Sequence, residues 1–189
     1  MSVELTELQD SARRVMNGAG LAAAEDAIWL QIIELGWLLV AVPETLGGLE
    51  AGVLGATTMH AELGRGLSTA PYLPMMLAVD DICQSGLSER DSWLERLVSG
   101  ERVTASLADC NIHTDGKSLS GHVTGVQSAD NASHILIWTA ANEAVVLVAL
   151  AHGTPPPWAG RHASRERRVR GSARRADRAA PGQAPPRAH

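Results

Sequence analysis

Residues 34–50 read ELGWLLVAVPETLGGLE, and this stretch decides how the first half of the chain is organised. A helix should end at Gly36, because glycine readily adopts the left-handed conformation that closes helices. The apolar run from Trp37 to Val42 is short, and Pro43 removes a backbone hydrogen-bond donor. The pair Gly47-Gly48 then favours a tight turn. We interpret this turn mainly as architecture, with a ligand contact as the alternative.

Helical periodicity surrounds this turn on both sides. Apolar residues recur at intervals of three and four in five segments, which predicts five helices. These segments are residues 5–16, 21–35, 53–63, 71–84 and 88–98. Ser88 and Asp91 have the spacing of a capping box at the start of the last one. Trp29, Trp37 and Trp93 lie among leucines in these patterns, so we expect them in the core.

The pattern changes from helical to strand-like after residue 102. Four short runs rich in β-formers, separated by turn residues, predict strands at residues 103–107, 119–126, 134–138 and 144–150. Helices followed by strands, without alternation, indicate an α+β fold. We therefore expect a helical domain at residues 1–101 and a β-domain at residues 102–150.

The composition changes again in residues 151–189. This segment holds 2 acidic and 9 basic residues, whereas residues 1–150 hold 19 acidic and 7 basic ones. It contains six prolines and no Leu, Ile, Met or Phe, so it cannot bury enough apolar surface to offset the entropy of ordering. We expect a disordered tail, of the composition that a GC-rich gene gives when read in a shifted frame. It carries no nucleic-acid motif, so no specific nucleic-acid partner is predicted.

Other features limit the location and cofactors of the protein. Two cysteines are too few for a disulfide framework, and the N-terminus lacks the pattern of a secretion signal, so we expect a cytoplasmic protein. The longest apolar run, Ala144 to Ala151, has eight residues, which predicts no membrane association. Cys110 and His113 have the spacing of half a zinc site, but a second pair of ligands is missing and no metal is predicted.

Three phrases together resemble a known family. They are Glu34-Leu35-Gly36-Trp37, then Val42 to Leu49, then Ala61-Glu62-Leu63-Gly64-Arg65, and they are followed by the segment from Trp93 to Glu101. In this order and separation they resemble the N-terminal helical domain of the flavin-dependent acyl-CoA dehydrogenases. The resemblance extends from about residue 3 to about residue 150.

The resemblance implies an activity and a cofactor. Members of the family desaturate an acyl-CoA thioester between its α and β carbons, with a carboxylate as base and FAD as hydride acceptor. The family places this base in a C-terminal helical domain, so we predict no catalytic residue within the present sequence. We expect an incomplete, β-barrel-like middle domain and a truncated chain that is inactive alone. Its expected partners are the acyl-CoA substrate and another acyl-CoA dehydrogenase subunit, in a homo- or hetero-oligomer.

The resemblance also assigns candidate site residues. Leu107 and Asp109 match the family phrase that meets the flavin, although the threonine of that phrase is absent. Ser128 keeps the small hydroxyl that packs on the flavin, whereas the neighbouring lysine and aromatic residue are missing. Leu73 and Met76 are candidates for the acyl pocket, with ordinary core packing as the alternative.

A second interpretation involves no catalysis. An unfinished sheet leaves strand edges unpaired, and such edges invite pairing with another chain. The chain would then be a helical interaction domain or a gene remnant.

Overall fold

The computed structural model describes most of the helical half and the principal strands. The described residues are 5–105, 111–114, 118–126, 128, 131–139, 144–149, 165–172 and 174–176. The helices are α1 (Leu5–Ala19), α2 (Glu25–Glu34), α3 (Gly52–Arg65), α4 (Tyr72–Cys83) and α5 (Arg90–Val98), with 3₁₀ turns at Trp37–Leu39 and Glu44–Leu46. All five helices predicted from the sequence are therefore confirmed.

Helix α2 is shorter than its apolar pattern suggested. It begins at Glu25 rather than at residue 21, because Gly20 and Ala22 both have positive φ angles, of 81° and 52°. Leu21, which the pattern placed on the buried face, is 75% exposed, and Leu35 is exposed as well. Ile28, Trp29 and Ile32 form the buried face that remains.

The predicted capping box of α5 does not form. The residue that caps the helix is Glu89, and it makes no side-chain capping hydrogen bond. The Asp91 carboxylate instead accepts a hydrogen bond from the Arg90 side chain at 2.8 Å.

The turn that follows α2 folds back on itself as expected. The backbone N–H groups of Leu49 and Glu50 donate to the carbonyls of Leu39 and Val42 at 3.0 and 2.9 Å. Gly47 has a φ of 82°, and a Cβ on Gly48 would overlap the Val42 carbonyl. Gly47 thus serves the left-handed conformation and Gly48 serves close backbone approach, which accounts for both glycines without a ligand.

The core of the helical half is built around α4. Seven of its twelve residues are buried: Tyr72, Pro74, Met75, Met76, Ala78, Val79 and Ile82. The Tyr72 hydroxyl donates to the Trp37 carbonyl at 3.3 Å, and burial raises the pKa of this phenol. Trp29, Trp37 and Trp93 are buried in the same cluster, which confirms their predicted core role.

The strands form two sheets. They are β1 (Val103–Ala105), β2 (Asn111–Thr114), β3 (Ser118–Val126), β4 (His134–Thr139), β5 (Ala144–Ala149), β6 (Arg165–Ser172) and β7 (Arg174–Ala176). One sheet has the order β1-β4-β5-β7, and the other has the order β2-β3-β6. β1 pairs with β4 in parallel, with Val103 opposite His134. As far as the described strands go, the sheets do not close into a barrel, and the α+β fold is confirmed.

Two strands lie within the tail. β6 pairs antiparallel with β3, with Gly121 opposite Val169, and β7 pairs with β5. Strand pairing uses backbone groups, which the composition of a segment does not reveal. Apart from residues 165–172 and 174–176, the tail lies outside the described residues, and its disorder stays a prediction.

Replacing Gly48 with alanine tests the turn. We expect Gly48→Ala to lower the free energy of unfolding by about 2 kcal/mol or more, because the new Cβ overlaps backbone that cannot move aside. Urea unfolding followed by tryptophan fluorescence measures the change.

The control is Gly18→Ala, in the last turn of α1, where nothing lies within 4 Å of the added Cβ. Alanine is a better helix former than glycine, so the free energy of unfolding of Gly18→Ala should rise by about 0.5–1 kcal/mol. Equal effects of the two substitutions would contradict the structural role of Gly48.

Candidate functional site

The candidate site begins with a narrow exposed stripe on α4. Leu73 and Leu77 are 37% and 36% exposed, and Asp80 is exposed one turn later. Residues at these intervals lie on the same face of a helix. Seven of the twelve residues of α4 are buried. A mostly buried helix therefore presents two leucines to its surroundings.

The opposite side of α4 holds the sheet. The backbone N–H of Val103, the first residue of β1, donates to the Met75 sulfur at 3.2 Å. Met75 is fully buried, and all three residues of β1 are buried. The position of the stripe relative to the sheet is therefore fixed by packing.

The two pocket candidates from the sequence separate in the structure. Leu73 lies on the exposed stripe, whereas Met76 is only 7% exposed and belongs to the core cluster. Leu77 shares the stripe and was missed by the sequence reasoning. Its spacing of four residues from Leu73 was the available signal.

One of the three flavin candidates is described. Ser128 is half-buried in a turn with a φ of 51°, and its carbonyl accepts a hydrogen bond from the Asn131 N–H at 3.2 Å. Among the described residues, no group contacts its hydroxyl through a hydrogen bond. Leu107 and Asp109 lie outside the described residues, so their role stays a prediction.

A polar cluster connects α5 to β4 near this turn. The Glu101 carboxylate accepts two hydrogen bonds from Arg96, at 2.6 and 2.7 Å. The Ser133 hydroxyl donates to the same carboxylate at 2.7 Å, and His134 Nδ1 lies 3.5 Å from it. The Arg96 guanidinium stacks on Trp93, at 3.8 Å from the ring centroid. We call these five residues the junction ring.

The charge state of Glu101 follows from these contacts. Partial burial opposes ionisation, but hydrogen bonds from Arg96 and Ser133 and the positive charge of Arg96 outweigh it. The net effect is a lowered pKa, so Glu101 is an anion at neutral pH and accepts hydrogen bonds only.

Arg102 secures the same junction from the other side. Its guanidinium contacts Glu25 at 3.1 Å and Asp26 at 2.6 Å, in the first turn of α2. It also lies 5.2 Å from the Trp29 ring centroid, and only 14% of its side chain is exposed. The acidic residues near the positive end of the α2 dipole are thus both occupied by one arginine.

A second polar feature is a groove of about 450 Å³ between α1 and α3. At its floor the Glu62 carboxylate accepts hydrogen bonds from Arg13 at 2.8 and 3.2 Å and from Gln9 at 2.9 Å. Hydrogen bonding from Arg13 lowers the pKa of Glu62, more than burial raises it. Arg65 lies 3.6 Å from the same carboxylate.

The groove combines two positive charges with one negative charge. It lies beside the C-terminal end of α3, where the helix dipole is negative and favours Arg65, whereas Arg13 lies in the middle of α1. Both arginines contact the Glu62 carboxylate, so the charged groups of the groove are engaged with one another. We interpret this cluster as structural.

No metal site emerges from the part of the chain that the structure describes: it contains no group of three or more His, Cys, Asp or Glu residues arranged to hold an ion. Cys110 lies outside that part. Burial raises the pKa of the Cys83 thiol to about 11, so this half-buried cysteine stays protonated.

Comparison with known proteins identifies the family. The sequence model of the acyl-CoA dehydrogenase N-terminal domain matches residues 4–101, just over half of the chain. The chain belongs to the acyl-CoA dehydrogenase family. The match covers the helices that form the α4 core and ends at Glu101 of the junction ring.

Individual acyl-CoA dehydrogenases support this assignment. The chain is 34% identical over 84 residues to acyl-CoA dehydrogenase FadE27 of Mycobacterium tuberculosis, which is 43% of this chain and 22% of that protein. The solved structure of the Tcur3481-Tcur3483 steroid ACAD G363A variant matches with 26% identity and a TM-score of 0.65, over 77% of this chain and 47% of that one.

The fold is also shared with the ChsE4-ChsE5 complex from Mycobacterium tuberculosis. The TM-score is 0.70 at 23% identity, over 94% of this chain and 57% of the matched chain. The present chain thus spans about half the length of these solved relatives and less of FadE27.

Among the described helices, none has the length and apolar character needed to cross a membrane.

The Arg13–Glu62 contact predicts a dependence of stability on pH. Folding lowers the pKa of Glu62. The ionised carboxylate therefore stabilises the fold above its ordinary pKa of 4.5, and this stabilisation is lost as the pH falls through the lowered pKa. Glu62→Gln should reduce the free energy of unfolding by about 1–2 kcal/mol near pH 7. The loss stays small because Arg13 is half exposed and water replaces its partner.

Urea unfolding at pH about 7 and about 3 measures this difference. The difference in the free energy of unfolding between wild type and Glu62→Gln should be smaller at the lower pH. The control is Asp91→Asn, which removes an exposed ion pair with Arg90 and should change stability by less than about 0.5 kcal/mol. An equal difference in the free energy of unfolding at both pH values would contradict the lowered pKa of Glu62.

Proposed function

We propose that this chain forms part of an FAD-dependent acyl-CoA dehydrogenase that introduces an α,β double bond into an acyl-CoA thioester. The observation that carries the proposal is the leucine stripe on α4, held at a fixed position against the sheet that leads to the Ser128 turn. Family membership supports it, since the matched segment contains the whole of α4.

The residues of this chain would do two things in that reaction. Leu73 and Leu77 would contact the acyl chain and exclude water from it, because apolar contact is favourable in proportion to the area removed from water. The hydroxyl of Ser128 would donate a hydrogen bond to the flavin. Bound FAD would supply the hydride acceptor.

The described part of this FAD site fits the cofactor. Ser128 is half-buried, and its small hydroxyl side chain carries one hydrogen-bond donor that could meet a flavin. The structures titled "FAD complex of PigA" and "PigA with FAD and proline" share the fold at TM-scores of 0.59 and 0.62. We propose the same cofactor for this chain.

We propose that the catalytic base comes from a second polypeptide. Among the described carboxylates, the two with lowered pKa and substantial burial, Glu62 and Glu101, are both committed to arginines. Two relatives are solved as complexes whose titles name two proteins, ChsE4-ChsE5 and Tcur3481-Tcur3483. A hetero-oligomer would supply the missing carboxylate and cover the leucine stripe. We place this assembly in the cytoplasm.

Titration with FAD tests the proposed function. The purified chain should take up FAD in the presence of a second acyl-CoA dehydrogenase subunit that carries the catalytic carboxylate, with flavin absorbance that shifts on binding. Uptake should be weaker for the chain alone, because Ser128 is a small part of the contact area that a cofactor of this size requires. A colourless complex that takes up no FAD would contradict the proposal and favour a non-catalytic interaction domain.

Substitution of the leucine stripe tests the acyl contact. Leu73→Ser with Leu77→Ser should weaken acyl-CoA binding to the FAD-loaded complex about tenfold to a hundredfold, since each lost leucine contact is worth about 1 kcal/mol. Calorimetric titration with a fatty acyl-CoA and, because one relative is titled a steroid ACAD, with a steroid-derived thioester measures the effect.

The matched control is Val53→Ser on α3, an apolar residue that is 82% exposed. It should leave acyl-CoA affinity unchanged. Leu73 and Leu77 are 37% and 36% exposed, so the double variant should also lose some stability, whereas Val53→Ser should change the melting temperature little. Affinities should therefore be measured well below the melting temperature of the double variant. Equal affinity of the double variant and the wild type would count against the stripe as the acyl wall.

A further inference from the structure

The Ser128 turn is anchored at its C-terminal end by Ser133. The Ser133 N–H donates to the Arg102 carbonyl at 2.8 Å, and its hydroxyl donates to Glu101 at 2.7 Å. The preceding residue, Ala132, is buried. The turn therefore joins the helical half through backbone and side-chain contacts of one serine.

The hydrogen atoms of this cluster can be assigned by counting donors. A hydroxyl carries one hydrogen, and Ser133 Oγ lies 2.7 Å from Glu101 Oε1, 2.9 Å from His134 Nδ1 and 3.2 Å from the Arg102 carbonyl. Ionised Glu101 can only accept, and the short distance gives it the hydrogen. His134 Nδ1 must then donate to Ser133 Oγ, which fixes the protonated nitrogen of this imidazole.

The contacts form a closed ring. Arg96 holds Glu101 with two hydrogen bonds and stacks on Trp93, and the Trp93 ring meets His134 edge-on at 4.9 Å. His134 Nδ1 donates to the Ser133 hydroxyl oxygen, and the Ser133 hydroxyl donates to Glu101, which closes the ring. Because Trp93 and Arg96 lie on α5, Ser133 is fixed relative to a rigid helix rather than to another loop.

We propose that Ser133 is a positioning residue, which holds the Ser128 turn at a fixed place relative to α5 and β1. Its relevance to catalysis rests on the proposed function, in which Ser128 meets the flavin. The hydroxyl acts through Glu101 and touches neither substrate nor cofactor. Ser128 and Ser133 are five residues apart and have different roles. Ser128 would contact the flavin, and Ser133 holds the Ser128 turn in place.

Ser133→Ala tests this role with a measurement that requires no cofactor. Amide hydrogen exchange of Asn131, whose N–H donates to the Ser128 carbonyl, should accelerate about tenfold or more in the variant. Exchange in α1 should be unchanged, because no residue of the ring lies on α1 and that helix packs against α3. Ser133→Thr keeps the hydroxyl and should restore slow exchange.

Glu101→Gln provides a second variant that keeps the size of the side chain. It loses the paired ionic contact with Arg96 and should accelerate exchange at Asn131 in the same direction. The matched control is Ser99→Ala, an exposed serine close to the same junction, which should behave as wild type. Unchanged exchange at Asn131 in both Ser133→Ala and Glu101→Gln would overturn the positioning role.

FAD affinity separates this inference from the proposed function. In the two-chain complex, Ser133→Ala should weaken FAD binding about tenfold, and Ser133→Thr should recover it. If wild type binds FAD and Ser133→Ala binds it equally well, positioning towards the flavin is refuted while the proposed function stands. If wild type binds no FAD, the proposed function fails, and exchange at Asn131 still decides whether Ser133 holds the turn.

Discussion

The burial of α4 between the other helices and strand β1 is the constraint on which the rest of the structure depends. The helix contributes Tyr72, Met75 and Ile82 to the largest fully buried side chains and receives the Val103 N–H on its Met75 sulfur. Helices and sheet therefore share one apolar core instead of forming two separate ones. The orientation of the leucine stripe is a consequence of this packing, since any rotation of α4 would expose Met75 or bury Asp80.

Polar contacts refine what apolar packing establishes. Glu101 and Arg102 lie on the chain segment that passes from α5 into β1, and their contacts reach Arg96 on α5, Ser133 before β4 and Glu25 in α2. Exposed ion pairs contribute little, and Asp26 is 85% exposed, whereas Glu101 and Glu25 are mostly enclosed and the two arginines also cover tryptophan rings. The result is a rigid connection between the helical half, which includes the proposed acyl-facing α4, and the turn that is proposed to meet the flavin. In an enzyme whose substrate and cofactor are bound by different layers, such rigidity sets the distance between them.

Much of this could be predicted from the sequence where local chemistry decides. The turn at Gly47-Gly48, the five helices and the α+β order follow from glycine conformation and apolar spacing. The separation of Leu73 from Met76 could not be predicted, because both are apolar and only the neighbours of α4 decide which one is covered. The contacts of Glu62 and Ser133 were missed because their partners lie 49 and 32 residues away. Strand β6 was missed because its pairing with β3 uses backbone groups, on which an arginine-rich composition has no direct bearing.

The claim that helices and sheet share one core is tested most directly by native-state hydrogen exchange of the isolated chain in increasing denaturant. The amides of Met76 in α4 and Leu136 in β4 should open with the same free energy, within about 0.5 kcal/mol, because neither segment keeps its burial without the other. If Leu136 opens at a free energy lower by about 2 kcal/mol or more while Met76 stays protected, the sheet is a separate unit and the shared core is contradicted.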